Sequence, residues 1–82
     1  MKFMVEFRLK PGAKNKAVET FEKRGPSRNP GVAFEAAWIG SQSDVAFVLV
    51  NSADEALVAK AAEQWSEFGQ TEIHSVVDIQ QF

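Results

Sequence analysis

The chain has 82 residues, 45% hydrophobic and 24% charged, with a formal net charge of −2. That is the make-up of one folded domain spanning residues 1–82, without the basic excess that nucleic-acid binding uses. Cysteine is absent and histidine occurs once, at His74, which excludes disulfides, thiolate nucleophiles and a zinc site built from cysteine and histidine.

No apolar run approaches the roughly 20 residues that span a membrane, and the chain opens directly into a strand pattern. A soluble cytoplasmic protein is expected, with no membrane partner, cofactor or metal. A domain this small buries only roughly 60–65% of the surface its unfolded chain exposes, so help from a partner subunit is expected.

The first stretch, KFMVEFRL at Lys2–Leu9, alternates with a period of two. Phe3, Val5, Phe7 and Leu9 form one face, and Met4, Glu6 and Arg8 form the other. Lys10-Pro11-Gly12 ends the strand, since proline supplies no ladder donor and glycine permits a turn. Ala13 to Arg24 reads as a helix with a narrow apolar stripe of Ala17, Val18 and Phe21 among Lys and Glu. Arg24-Gly25-Pro26 gives the usual order of helix stop signals. The loop from Gly25 to Gly31 follows. With Arg24 and Arg28 it could cradle a phosphate, although no phosphate-loop pattern is present.

Val32 to Ile39 reads as a second strand, Gly40 to Asp44 as a hairpin loop, and Val45 to Val50 as a third strand that is apolar on both faces. Ser52-Ala53-Asp54-Glu55 matches a capping box. The helix it opens is expected to run to about Glu67, burying Leu57, Ala61, Trp65 and Phe68. Gly69 ends that helix. Glu72 to Ile79 reads as the last strand, with Glu72, His74, Val76 and Asp78 on one face. Glu35, mid-strand among apolar residues, is expected to face solvent from an edge strand.

The order is βαββαβ. Right-handed crossovers place strands one and three in the centre, giving an α+β ferredoxin-like sandwich of sheet order 4-1-3-2 with both helices on one face. The second sheet face then needs a cover that the chain itself does not provide, and a second copy packed sheet to sheet is the expected one.

Residues from the first and last strands share that second face. Glu6 and Arg8 meet Glu72, His74 and Asp78 there, with cross-strand Cβ atoms about 5 Å apart. An acid, a base and an imidazole so placed could relay protons, and Arg8 could hold a carboxylate or an enolate. These are the candidate catalytic residues, with Met4, Trp38 and Val76 as candidate ligand contacts. The plainer reading is a cross-strand charge ladder that fixes the register of a dimer interface. Trp65, on the helix stripe, is expected in the core.

The chain resembles a family of small bacterial proteins described only as a domain of unknown function. The resemblance is carried by Met1 to Val5 with Arg8, Pro11-Gly12, Lys16-Ala17-Val18, Gly25-Pro26, Pro30-Gly31-Val32, Trp38, Phe47 to Val50, Trp65, Glu72-Ile73, Val76 and Asp78. That family is similar to the dimeric α/β-barrel superfamily, which includes cofactor-free monooxygenases, isomerases, haem-degrading proteins and stress-response proteins. Relatives often carry a histidine after the strand-two tryptophan, where this chain has Ile39, and its histidine stands instead in strand four.

The resemblance implies an uncharacterised homodimeric module. One alternative is a cofactor-free, monooxygenase-like or isomerase-like enzyme acting on a small molecule, with its site between sheet and helices or at the dimer interface. Another is a protein-binding or regulatory module that uses an exposed edge strand. A pocket of roughly 300 Å³ or more, apolar with a few polar groups, separates a ligand site from a filled core.

Overall fold

The alternation in KFMVEFRL becomes the centre of a four-stranded antiparallel sheet. The computed structural model describes residues 1–24 and 29–82. In it β1 (Lys2–Leu9) lies between β3 (Val45–Ser52) and β4 (Gly69–Val76), and β2 (Val32–Ile39) pairs with the outer side of β3. The order β2-β3-β1-β4 is the expected 4-1-3-2 read from the other edge. With α1 (Lys14–Arg24) and α2 (Glu55–Glu63), it makes the expected α+β ferredoxin-like arrangement. No helix among the described residues is long and apolar enough to cross a membrane.

Register sorts the side chains, because directly paired residues project to the same side of a sheet. Phe3 pairs with Val50, Val5 with Val48 and Phe7 with Ala46, and these face the helices. Met4 pairs with Leu49, Glu6 with Phe47 and Arg8 with Val45, and these face away. The core is Phe3, Val5, Val50, Val58 and Ala62, with Phe3 and Val58 each only 1% exposed. It therefore fills the layer under α2, beside the start of β1 and the end of β3. α1 stands further off and buries only Ala17.

Several local expectations change. The Ser52–Glu55 capping box does not form, because Ser52 ends β3 and its N–H donates to the Met1 carbonyl at 2.9 Å. Asp54 is the cap instead, its carboxylate accepting the Ala56 N–H at 2.9 Å. α2 stops at Glu63, and a short 3₁₀ turn, Ser66–Phe68, completes the descent to β4. Its buried residues are Val58 and Ala62, four apart, while Leu57 is exposed. The expected stripe is one residue out of phase at Leu57 and Ala61, whereas Phe68 is buried as expected, in the 3₁₀ turn.

β4 begins at Gly69, earlier than Glu72, because the 3₁₀ turn delivers the chain directly beside Leu9. It ends at Val76, so Asp78 is not on the strand. The Asp78 carboxylate accepts the Gln80 N–H at 2.8 Å and caps a terminal 3₁₀ turn, Ile79–Gln81. Glu35 sits at a bulge between Phe34 and Ala36, is exposed as expected, and lies 3.8 Å from Lys2 Nζ. The helix stop at Gly25-Pro26 and the phosphate-cradling reading that involves Arg28 lie outside the described residues.

Gly12 has φ +79°, the left-handed conformation that closes the turn after β1 and that glycine adopts without steric cost. Gly69 is needed for a different reason. A Cβ there would stand 2.8 Å from Leu9 Cα and closer still to the Arg8 carbonyl oxygen, so β4 can seat against β1 only without a side chain. Gly69→Ala is expected to lower the unfolding free energy by about 1–3 kcal/mol in urea titrations. An unchanged midpoint would mean that β4 can move off β1 at no cost.

Candidate functional site

Two surfaces carry chemistry, one on each side of the sheet. On the open face the β1–β4 register sets Glu6 directly opposite Glu72 and Met4 opposite His74. Two facing carboxylates repel, and Arg8 and His74 lie between them. Arg8 Nε donates to Glu6 Oε2 at 2.9 Å and its Nη2 lies 3.5 Å from Glu72 Oε2. His74 Nε2 is 3.6 Å from Glu6 Oε1 and 3.9 Å from Glu72 Oε1.

The hydrogen bond from Arg8 lowers the Glu6 pKa below its ordinary 4.5. Partial burial opposes that shift, and the charge of Arg8 and contact with His74 reinforce it. The same hydrogen bond raises the Arg8 pKa. The sheet thus assembles Glu6, Arg8 and His74 as expected, with Glu72 as the fourth member. Asp78 is absent from the cluster because it caps the terminal turn.

Ligand atoms of Glu6, Glu72 and His74 lie within 4.8 Å of one another, a spacing that could accept a cation. Arg8 already contacts both carboxylates, so a metal would have to displace a guanidinium. The arrangement fits a charge ladder that fixes the pairing of β1 with β4. Most of its members are exposed, which limits what each ion pair contributes.

Beside this cluster the open face turns apolar. Phe47, Leu49 and Val45 of β3 stand with Met4 of β1 and Ala36 of β2. Trp38, opposite Phe47, is 53% exposed. Val76, opposite Lys2, lies at the far end of β4.

The larger feature lies on the helix side. A cleft of about 640 Å³ opens between the sheet and the two helices, reaching from Leu9 and Ala46 to the core residues Val5, Val50, Val58 and Ala62. Phe7, Phe34 and Val48 form its floor, with Val18 and Phe21 of α1 and Trp65 after α2 as its walls. The helices meet the sheet here through small residues, Ala17, Ala61 and Ala62, which cannot fill the layer over Phe7, Leu9 and Ala46.

Aromatic contacts prop the cleft at one end. Phe21 lies 5.9 Å from Phe34 and 6.1 Å from Trp65, and Trp65 lies 5.8 Å from Phe68. Lys14 Nζ donates to the Gly40 carbonyl at 2.6 Å and ties the start of α1 to the end of β2. The polar side chains on the lining are Lys23, Arg24, Asn29 and Gln64. No carboxylate, imidazole or hydroxyl is among the described residues there.

Of the candidate ligand contacts, Met4, Trp38 and Val76 all fall on the open face by register, and Trp38, at the edge of β2, also borders the cleft. Trp65 is half-buried and faces the cleft rather than a filled core. Sequence reasoning passed over Phe7, Phe21 and Phe34 as site residues and considered Arg24 only for a phosphate at the Gly25–Gly31 loop. The available signal was compositional, because a narrow stripe on α1 and alanines on α2 are too small to cover four strands.

The chain belongs to the family described as Domain of unknown function (DUF3303), whose model matches residues 1–82. No curated protein and no solved structure matches the chain.

The Arg8–Glu6 hydrogen bond has a pH signature. The folded pKa of Glu6 lies below the unfolded one, so its contribution is complete above pH 4.5 and is lost as pH falls through the folded value. Urea midpoints measured downward from neutral pH are expected to show a smaller acid loss in Arg8→Ala than in the wild type. Equal losses would mean that the hydrogen bond does not bias Glu6.

Proposed function

We propose that this member of a family of unknown function is a small-molecule-binding protein that takes an apolar ligand into the cleft between the sheet and the helices. The observation that carries the reading is the cleft itself, about 640 Å³ and lined by aromatic and aliphatic side chains. Ligand pockets have this size and make-up, with a few polar groups at defined places. A filled core of Leu and Ile would leave no such space, since protein interiors pack close to crystal density.

Binding is favoured over acid–base catalysis because the titratable cluster lies on the other face. Glu6, Glu72 and His74 are separated from the cleft by the sheet, and the cleft lining offers arginine, lysine and amides only. A cofactor-free enzyme would need a proton acceptor in contact with its substrate.

The second part of the reading is a homodimer formed through the open sheet face. Its support is the run of Met4, Phe47, Leu49 and Val45 with the exposed Trp38, an apolar surface rimmed by the Glu6–Arg8–Glu72–His74 ladder. Such a rimmed apolar patch is the usual form of a protein interface.

Both parts have direct tests. The neutral fluorescent probe N-phenyl-1-naphthylamine is expected to bind saturably at one site per chain, and Val18→Trp, which fills the cleft, is expected to remove that binding while the fold is retained by circular dichroism. Unsaturable or absent binding to the wild type would contradict the cleft reading. Equilibrium sedimentation at tens of micromolar is expected to give a dimer for the wild type and a monomer for Phe47→Glu. A monomeric wild type would remove the interface.

A further inference from the structure

The cleft has one polar end, and that end is cationic. Its polar lining residues all lie where α1 and α2 finish: Lys23 and Arg24 in the last turn of α1, Gln64 at the end of α2, and Asn29 just before β2. Gln64 Nε2 donates to Asn29 Oδ1 at 3.1 Å, so these two amides are joined to each other. Lys23 Nζ is engaged along the outer face of α1 by Glu19 Oε1 at 2.9 Å.

Arg24 is held differently. Its guanidinium carbon lies 5.5 Å from the centre of the Trp65 ring, and Trp65 is itself a wall of the cleft. A cation–π contact of this length restrains the guanidinium without using its N–H donors, which stay available for a planar carboxylate. The present anionic neighbour, Glu67 Oε1, is 3.9 Å from Nη2, with both side chains more than half exposed. A loose exposed pair of this kind offers little competition to an incoming anion.

We propose that the ligand is an apolar monocarboxylate, its body lying over Phe7, Phe34 and Val48 and its carboxylate held at the rim by Arg24. The proposal rests on the reading of the cleft as a ligand site and adds the chemical class of the ligand. Charge complementarity carries it. The described lining holds two cations and no anion, its far end toward Leu9, Ile39 and Ala46 is wholly apolar, and the cation nearest an aromatic wall has only a weak partner. A neutral apolar ligand would leave Arg24 with only its loose pairing to Glu67.

Displacement of N-phenyl-1-naphthylamine by octanoate and by 1-octanol tests this. Octanoate is expected to displace the probe at least about tenfold more tightly than octanol, the scale of a charge-assisted hydrogen-bonded contact. Arg24→Gln, which keeps most of the side-chain length, is expected to abolish that preference, bringing octanoate displacement to the level of octanol. Octanoate no tighter than octanol, or a preference that survives Arg24→Gln, would overturn the carboxylate assignment while leaving the cleft reading in place. Failure of the probe and both ligands to bind the wild type would overturn both.

Discussion

The residues that α1 and α2 turn toward the sheet are too small to fill the layer between them. Val58 and Ala62 pack against Phe3, Val5 and Val50 in one half of that layer, and the cleft borders this cluster. Over the other half Ala17, Val18 and Ala61 face Phe7, Leu9 and Ala46 across open space. Atoms lining such a space lack the dispersion partners that a packed interior supplies. A ligand that enters restores those contacts, so the geometry that weakens the core also favours binding. The Phe21–Phe34–Trp65 group and the Lys14–Gly40 hydrogen bond hold α1 at its two ends and keep the space from collapsing.

The sheet separates two kinds of chemistry. Its helix side is apolar and ends in cations, whereas its open side sets a charge ladder next to an apolar run. The strict alternation of β1 is what divides them, since Phe7 goes one way and Glu6 and Arg8 the other. A one-residue change of register would exchange the faces and put Glu6 into the cleft. Gly69 protects the register on one side, because only a residue without a side chain can sit against Leu9.

Much of the fold was legible. The period-two pattern of Lys2–Leu9, the doubly apolar Val45–Val50 and the turn at Pro11-Gly12 led to the observed strand order. What escaped depended on tertiary hydrogen bonds. Ser52 does not cap α2 because its N–H pairs with Met1 as part of the sheet and its Oγ accepts the Asp54 N–H at 3.3 Å, and nothing in the local sequence records that pairing. The buried residues of α2 are Val58 and Ala62, one position on from Leu57 and Ala61, and β4 ends at Val76, short of Asp78. The polar cluster was legible because cross-strand pairing follows from topology. The cleft was not, because an unfilled volume is a property of how far α1 stands from the sheet, and amphipathic patterning reports direction and not distance. The match to a family of unknown function bears out the resemblance read from the chain, and it leaves the function to be argued from the site.

The central claim is that a ligand occupies the helix side of the sheet, and intermolecular nuclear Overhauser effects from bound N-phenyl-1-naphthylamine test it most directly. Contacts to the methyl groups of Val18, Ala46 and Val48 are predicted. Contacts instead to Met4 and Leu49 would place the ligand on the open face and contradict the account.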